Sequence, residues 1–181
     1  MQTTILDMFG GPGCGKSTTA AYIYYRLKDA NRNSELVREY VKDWAWQDRK
    51  ITAFDQPYIL GKQLHREAPL YGKVEFIVTD SPLLLSIYYA QRHSPARVAR
   101  GVEETVLGFY EQVAALGHHH QHIMLKRSKP YCTAGRYQDE QGARDIDNHL
   151  MALMDHLDMP YIEIGTNRKE LDDLVDTLLA G

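Results

Sequence analysis

The sequence predicts an α/β fold in which helices cover both faces of a five-stranded parallel sheet, giving three layers. Short apolar runs typical of buried strands alternate along the chain with longer stretches whose apolar residues recur at helical spacing. This alternation favours parallel strands joined by right-handed crossovers. The predicted strands span residues 5–9, 35–41, 76–80, 122–125 and 161–164.

Helical spacing is clearest in three segments of the chain. They are the segment that carries Ala20, Ile23, Tyr24 and Leu27, the segment at about 102–116, and the C-terminal segment that carries Leu171, Leu174, Val175 and Leu178. The chain has 181 residues, which is the size of one domain, and contains no linker long enough to divide it. We therefore expect a single domain over residues 1–181.

Composition and charge exclude several classes of protein. Apolar residues make up 44% and charged residues 25% of the chain, as in ordinary globular proteins, and the net charge of −3 is not that of a dedicated duplex-DNA binder. Two cysteines do not suggest a disulfide framework. No apolar run reaches the ~18 residues of a membrane span, and the N-terminus lacks the charged region of a signal peptide. We expect a cytoplasmic protein with no membrane partner.

The first predicted strand is followed by the sequence GGPGCGKS at residues 10–17, which matches the G-x-x-x-x-G-K-[ST] motif in full. Glycines let successive backbone N–H groups turn inward around a phosphate, and the helix that follows adds its positive end. Lys16 is expected to reach the β- and γ-phosphates of ATP, and the Ser17 hydroxyl to ligate Mg²⁺. The motif predicts the P-loop NTPase fold. The predicted nucleotide-binding residues are Gly11, Gly13, Cys14, Gly15, Lys16, Ser17 and Thr18.

A second acidic position, Asp80, ends the third predicted strand. In P-loop proteins a carboxylate at this place holds Mg²⁺, although a residue before Ser81 and Pro82 could instead cap the following helix. Ser81 stands where motor-type ATPases usually place a glutamate that activates water. The stretch at residues 166–169 does not match the guanine-reading N-K-x-D motif. Both observations favour a kinase that passes phosphate to a bound acceptor.

The segment after the second predicted strand carries two candidate general bases. In this fold the segment faces the γ-phosphate from the acceptor side, where a carboxylate can accept a hydroxyl proton. Glu39 is the first candidate and Asp43, which could also bind the acceptor, is the second. The alternative interpretation is a solvated charged turn.

Three further side chains are candidates for acceptor binding. Arg38 could bind an acceptor phosphate or pair with Glu39. Trp44 could stack on a base, because every base offers a π-face, or could serve only in packing. Gln63 could hydrogen-bond a base edge or be an exposed glutamine on a helix surface.

The segment after the fourth predicted strand, at about 127–145, is predicted to form a small lid. Arginines on a closing segment can stabilise charge that develops on a transferred phosphoryl group, and a lid excludes water. The candidates are Arg127, Arg136 and Arg144. We favour Arg127 and Arg136, because Arg144 is expected to pair with Asp145 or Asp147. The alternative is an exposed basic loop.

A run of histidines at residues 118–120, followed by His122, is not interpreted as a metal site. Zinc ligation needs convergent spacing, which an unbroken histidine run rarely gives. The run follows Gly117 between a predicted helix and the fourth predicted strand. We expect it to lie in an exposed loop.

Taken with these motifs, the chain resembles the P-loop kinase family. It is most similar to the branch that contains nicotinamide-riboside kinase domains and phage-encoded nucleotide-modifying kinases. The resemblance rests on residues 10–17, 38–40 and 79–82 and on the pattern at 129–140. Residues 39–44 are also similar to the E-P-x-x-x-W segment of deoxynucleoside kinases, in which the glutamate is the base. Tyr40 stands where that motif has proline.

The resemblance implies a kinase that moves the γ-phosphate of ATP to a hydroxyl of a nucleoside-like acceptor, free or within DNA. Some phage members act on 5-hydroxymethyluracil in DNA, and this is the favoured specific candidate, which would place the protein in the host cytoplasm. The alternatives are a kinase of free nucleosides or nucleotides and an acceptor-independent P-loop ATPase or switch. We expect a monomer or a dimer.

Overall fold

The computed structural model describes residues 1–52, 54–128 and 139–180. Its centre is a five-stranded sheet in the order β2-β3-β1-β4-β5, with every neighbouring pair parallel. The strands are β1 (Thr4–Phe9), β2 (Ser34–Val37), β3 (Phe76–Thr79), β4 (His119–Leu125) and β5 (Tyr161–Ile164). The carboxyl ends of β1, β2 and β3 lie side by side at one edge of the sheet, because Asp7 pairs with Thr79 and Thr79 with Val37.

Helices connect these strands. They are α1 (Lys16–Asp29), α2 (Lys42–Trp46), α3 (Asp55–Glu67), α4 (Leu85–His93), α5 (Ala96–Ala115), α6 (Glu140–His156) and α7 (Arg168–Ala180). A 3₁₀ turn, Ala68–Leu70, follows α3. In the described parts of the chain, no helix combines the length and apolar character that a membrane crossing needs.

The core lies in two apolar layers, one on each face of the sheet. Successive side chains of a strand point to opposite faces. Leu6 and Met8 of β1 therefore pack with α1 and α7, through residues such as Ile23 and Val175. Phe9 points the other way and packs with residues of α3, α4, α5 and α6. The structure confirms the predicted three-layer α/β/α fold with a five-stranded parallel sheet.

The second strand is shorter than predicted. It ends at Val37 rather than at residue 41. Beyond it, the Glu39 amide donates to the Asp80 carboxylate and the Tyr40 amide donates to the Gln63 side chain. The two side-chain oxygens accept hydrogen bonds from backbone amides that would otherwise pair with the carbonyl groups of a neighbouring strand. The third strand likewise ends one residue early, at Thr79, and leaves Asp80 beyond the sheet.

The fifth helix is longer than predicted. It begins at Ala96, directly after Pro95, whereas the apolar pattern indicated a start near residue 102. Proline is well suited to the start of a helix because its N–H is already absent. Ala99, in the first turns, is buried, so the apolar face of the helix begins before residue 102. The residue that extends this face is a small alanine.

The expectation of an exposed histidine loop is wrong. β4 begins at His119, three residues earlier than predicted, and His118 and His122 are buried. His120 and His122 each donate a hydrogen bond from Nδ1 to Oδ2 of Asp7, over 2.8 and 2.9 Å. A carboxylate in the middle of β1 therefore provides a partner that lets these histidines lie inside the protein.

Candidate phosphate-transfer site

The phosphate loop joins β1 to α1 at residues 10–17. Gly13 and Gly15 have φ angles of +82° and +103°, a region that favours glycine. Lys16 begins α1 and folds back over the loop, where its Nζ donates to the carbonyl oxygens of Gly10 at 2.5 Å and Gly11 at 3.2 Å. The helix start and the ammonium group make the centre of the loop electropositive.

The remaining predicted nucleotide-binding residues lie around the same turn. Ser17 and Thr18 are exposed in the first turn of α1. Cys14 is buried with its side chain in the core beside Leu6 and Met8, so its backbone is the part that lines the loop. The structure thus brings the whole predicted loop together at the carboxyl end of β1.

Glu39 and Asp80 lie together beside this loop. Asp80 is buried and its Oδ1 accepts the backbone N–H of Glu39 at 2.8 Å. Glu39 is half-buried. Burial raises the pKa of the Glu39 carboxyl; the nearby Lys16 acts against this increase, and Asp80 adds to it. Lys16, Glu39 and Asp80, predicted separately from three distant segments, therefore form one charged group.

The predicted acceptor-binding segments contain a buried polar residue and an aromatic cluster formed by Tyr40, Trp44 and Tyr58. Gln63 is buried, not exposed, and its Oε1 accepts the Tyr40 N–H at 3.1 Å. Among the described residues, its Nε2 has no hydrogen-bond partner. Trp44 is also buried; the Arg49 guanidinium lies 3.5 Å from its ring centroid and Tyr58 stacks on it at 6.1 Å. Packing contacts thus surround Trp44 within the cluster.

Two other predicted acceptor-binding residues lie at the rim. The side chains of Arg38 and Asp43 are exposed, Arg38 just beyond β2 and Asp43 in the first turn of α2. The Arg38 carbonyl oxygen accepts a hydrogen bond from Arg66 Nη1 at 3.0 Å, which ties this segment to α3.

Arg127 lies against the phosphate loop. Its side chain is only 9% exposed. Nε donates to Asp147 Oδ2 at 2.5 Å, Nη1 donates to the Pro12 carbonyl at 2.8 Å, and Nη2 donates to the Ala143 carbonyl at 3.0 Å. Asp147 Oδ1 in turn accepts the Gly11 N–H at 2.5 Å. Arg127 thus connects the start of the loop to α6.

Beyond Ser128, the structure describes only residues 139–145 of the predicted lid. Arg136 lies outside the described residues, as does the rest of 129–138. Residues 140–145 form the first turns of α6, because the Asp139 side chain caps the helix by accepting the Gly142 N–H at 2.7 Å. The expected pairing of Arg144 with Asp145 or Asp147 is wrong, since Arg144 pairs with Glu140 at 2.8 Å.

A cleft of about 210 Å³ lies on the other side of the loop and was not predicted from the sequence. It is lined by Gly15, Thr18, Thr19, Tyr22, Thr166, Arg168 and Leu171. The position of Thr166, just after β5, is the signal that could have found it, because ligands in such sheets bind beyond the carboxyl ends of the strands. The cleft is adjacent to the loop and can hold the part of a nucleotide that lies beyond its phosphates.

Tyr89 of α4 is a second residue that the sequence did not reveal. Burial raises the pKa of its phenol, and the nearby charge of Glu39 adds to this increase. Its ring stacks on His93 at 6.3 Å. The phenol therefore lies near the candidate base.

Comparison with known proteins supports the fold. No curated protein sequence matches the chain. The structure of NadR protein in complex with NR aligns with a TM-score of 0.70 and 12% identity, covering 98% of this chain and 51% of that one. NadR protein in complex with NAD and AMP-PNP aligns with a TM-score of 0.67 and 10% identity, covering 98% and 49%. The chain thus spans about half the length of these structures, which share its fold.

A family model described as an AAA domain matches residues 7–170. The match begins within β1 and ends within α7, and so includes the phosphate loop, Glu39, Asp80 and Arg127. Because this match covers most of the chain, the protein belongs to the AAA domain family and has the P-loop NTPase fold.

Proposed function

We propose that the protein is a kinase that uses ATP and Mg²⁺ to phosphorylate a hydroxyl group of a nucleoside-like acceptor. The observation that carries this proposal is the position of Glu39. Its amide is bonded to Asp80, and its carboxyl is close enough to Lys16 and Asp80 for both charges to affect its pKa. A carboxylate beside the phosphate-binding lysine suits proton transfer during phosphorylation better than it suits simple nucleotide binding.

The proposed reaction assigns one role to each charged group. The Glu39 carboxylate takes the proton of the acceptor hydroxyl. At the same time, the hydroxyl oxygen of the acceptor forms a bond to the γ-phosphorus. The bond between that phosphorus and the oxygen bridging to the β-phosphate breaks, and ADP leaves. Lys16 and the amides of the loop stabilise the negative charge on the phosphate oxygens.

The oxygen donors at the site fit Mg²⁺. Ser17 offers a hydroxyl at the start of α1, and Asp80 offers a carboxylate at the end of β3. Magnesium prefers such hard oxygen ligands and usually shares them with substrate phosphates. When bound, the ion would neutralise charge on the β- and γ-phosphates. Ser17 and Asp80 are the residues that would hold it.

The favoured specific acceptor is 5-hydroxymethyluracil in phage DNA, and a free nucleoside or nucleotide is the alternative. The buried Gln63 Nε2, which has no partner among the described residues, supports an acceptor with a carbonyl oxygen, because a buried donor without a partner is costly. Uracil has such an oxygen, and so does the nicotinamide group. The NR found in the similar NadR structure is therefore included among the candidates.

Transfer from γ-labelled ATP to a panel of acceptors tests the proposal. The panel contains nucleosides, nucleoside monophosphates, nicotinamide riboside, plain DNA and DNA containing 5-hydroxymethyluracil, and Lys16→Ala serves as the inactive control. Label on one acceptor supports the proposal and identifies the acceptor class. Transfer to DNA should weaken steeply as salt increases, whereas transfer to a free nucleoside should change little. Release of label only as inorganic phosphate would instead indicate an acceptor-independent ATPase or switch.

A further inference from the structure

Gly11 occupies a variable position of the phosphate-loop motif, yet its surroundings leave no room for a side chain. A Cβ at this residue would lie 2.4 Å from the carbonyl oxygen of Ala143 and 2.8 Å from Nη2 of Arg127. It would also lie 3.1 Å from Oδ1 of Asp147. The first half of the loop is therefore pressed against α6 and against an arginine–aspartate pair.

This Arg127–Asp147 pair is built into the interior. The two side chains are only 9% and 14% exposed. The aspartate accepts the Gly11 N–H while the arginine donates to the Pro12 carbonyl, so the pair holds two consecutive residues of the loop. The contact between Arg127 and the Ala143 carbonyl ties the same pair to the α6 backbone.

The guanidinium of Arg127 is already engaged in this arrangement. If it turned toward a transferred phosphate, it would leave the Asp147 carboxylate in a largely buried place without its ionic partner. Breaking a buried pair in this way is strongly unfavourable. Arg127 is therefore better placed to act on the loop than on the γ-phosphate itself.

We propose that Arg127 and Asp147 are positioning residues that hold the phosphate loop in its nucleotide-binding shape. Asp147 is the new member of the site, and the role of Arg127 changes from a contact with transferred phosphate to support of the loop. The inference rests on the proposed function for the identity of the ligand. Loop amides that are already in place lose less freedom when they bind phosphate, so the pair should determine nucleotide affinity.

Two residues that act as one unit should give non-additive effects. Arg127→Ala and Asp147→Ala should each weaken binding of ADP and of AMP-PNP on the order of tenfold, as expected for loss of a charge-assisted hydrogen bond. The double variant should be no weaker than the worse single variant. The KM for ATP should rise by a similar factor, while kcat changes by less than about threefold.

Isothermal titration calorimetry of the full chain measures the affinities without any acceptor. Asp145→Ala is the matched control, because Asp145 is an exposed aspartate on the same helix whose side chain accepts from Gln141. Its affinity should stay within about twofold of the wild type. Asp147→Asn keeps an acceptor for the Gly11 amide but loses the charge and the acceptor for Arg127 Nε, so its affinity should fall between those of Asp147→Ala and the wild type. It also replaces Asp147→Ala if that variant does not fold.

Two results would overturn the proposal. One is a large fall in kcat for Arg127→Ala with no change for Asp147→Ala, which would place Arg127 on the transferred phosphate. The other is wild-type affinity in both single variants. A wild-type protein that binds nucleotide but phosphorylates no acceptor would contradict the proposed kinase while leaving the test of the pair intact.

Discussion

Replacing Glu67 with glutamine should change how the stability of the protein depends on pH. Glu67 is fully buried at the end of α3, near Asp7 and His120. Its Oε1 accepts a hydrogen bond from the Tyr71 hydroxyl, and its Oε2 has no partner among the described residues. Burial raises the pKa of the Glu67 carboxyl from 4.5 to about 7, and the charge of Asp7 adds to this increase.

The sign of the effect follows from proton binding. The folded protein keeps the Glu67 proton up to a pH of about 7, whereas the unfolded chain loses it near 4.5. The folded state therefore binds more protons in this window, and the free energy of unfolding falls as pH rises. At about 1.4 kcal/mol for each tenfold change in proton affinity, the expected loss is about 3 kcal/mol between pH 4.5 and pH 7.

Two neighbouring groups, Asp7 and His120, also contribute to the pH dependence of stability. Burial alone would raise the pKa of Asp7, but the charges and hydrogen bonds of His120 and His122 outweigh it and lower the pKa to about 2. The stability that comes from the lowered pKa of Asp7 is therefore lost only below pH 3.8, which is outside the range of pH 4.5 to 7 in which Glu67 acts. Burial opposes a charged His120, but the Asp7 carboxylate raises the pKa of this imidazole above 6.5. Its contribution is also lost as pH rises, beginning above 6.5.

Urea unfolding of the wild type and Glu67→Gln at pH 5, 6, 7 and 8 measures the Glu67 contribution together with its electrostatic interaction with His120, because groups that do not interact with Glu67 cancel in the difference. The free energy of unfolding of Glu67→Gln, relative to the wild type, should rise by about 3 kcal/mol from pH 5 to pH 8. Glu104→Gln, which changes an exposed glutamate on α5, should show a constant difference. A constant difference for Glu67→Gln as well would refute the reasoning.

Two further substitutions test the phosphate loop and the aromatic cluster. Gly11→Ala places a Cβ 2.4 Å from the Ala143 carbonyl oxygen, so affinity for ADP in calorimetry should fall at least on the order of tenfold; unchanged affinity would show that α6 does not support the loop. Trp44→Ala should lower the free energy of unfolding in urea by about 3–5 kcal/mol, because Trp44 is buried. Trp46→Ala, at a residue 72% exposed, should change it by less than about 0.5 kcal/mol, and equal losses would contradict this assignment.

The features that the sequence predicts well depend on neighbours along the chain. The phosphate loop is a contiguous motif, and the strand before it is a contiguous apolar run. α7 is recognisable from Leu171, Leu174 and Val175, which the structure buries together. In each case the residues that determine the local conformation are close in sequence, so their pattern contains the necessary information.

The features that the sequence predicts poorly depend on partners far along the chain. β2 stops early because the amides of Glu39 and Tyr40 are bonded to side chains 41 and 23 residues away. The histidines of β4 are buried because their partner, Asp7, lies more than 100 residues earlier. Neither partner can be identified from local spacing, since a charged or polar residue in a single sequence looks the same whether it is paired or solvated.

The candidate site shows the same division. Lys16, Glu39 and Asp80 were each predicted from a strand end, and the parallel sheet brings such ends together. The support of the loop by Arg127 was missed, because Arg144 is closer in sequence to Asp147 and was the simpler partner. In the structure, Arg127 is the partner of Asp147, because it follows β4, which lies next to β1. Arg144 instead pairs with Glu140 along α6.

The proton-transfer role of Glu39 is the central claim, and the rate of phosphate transfer in Glu39→Gln tests it most directly. The measurement uses γ-labelled ATP, Mg²⁺ and the acceptor identified with the wild type, with nucleotide affinity measured in parallel. Asp48→Asn, at an exposed aspartate just after α2, is the control. The account predicts that Glu39→Gln lowers the rate about 10²- to 10⁴-fold while nucleotide affinity stays near that of the wild type, and that Asp48→Asn transfers normally. Full transfer by Glu39→Gln would contradict it.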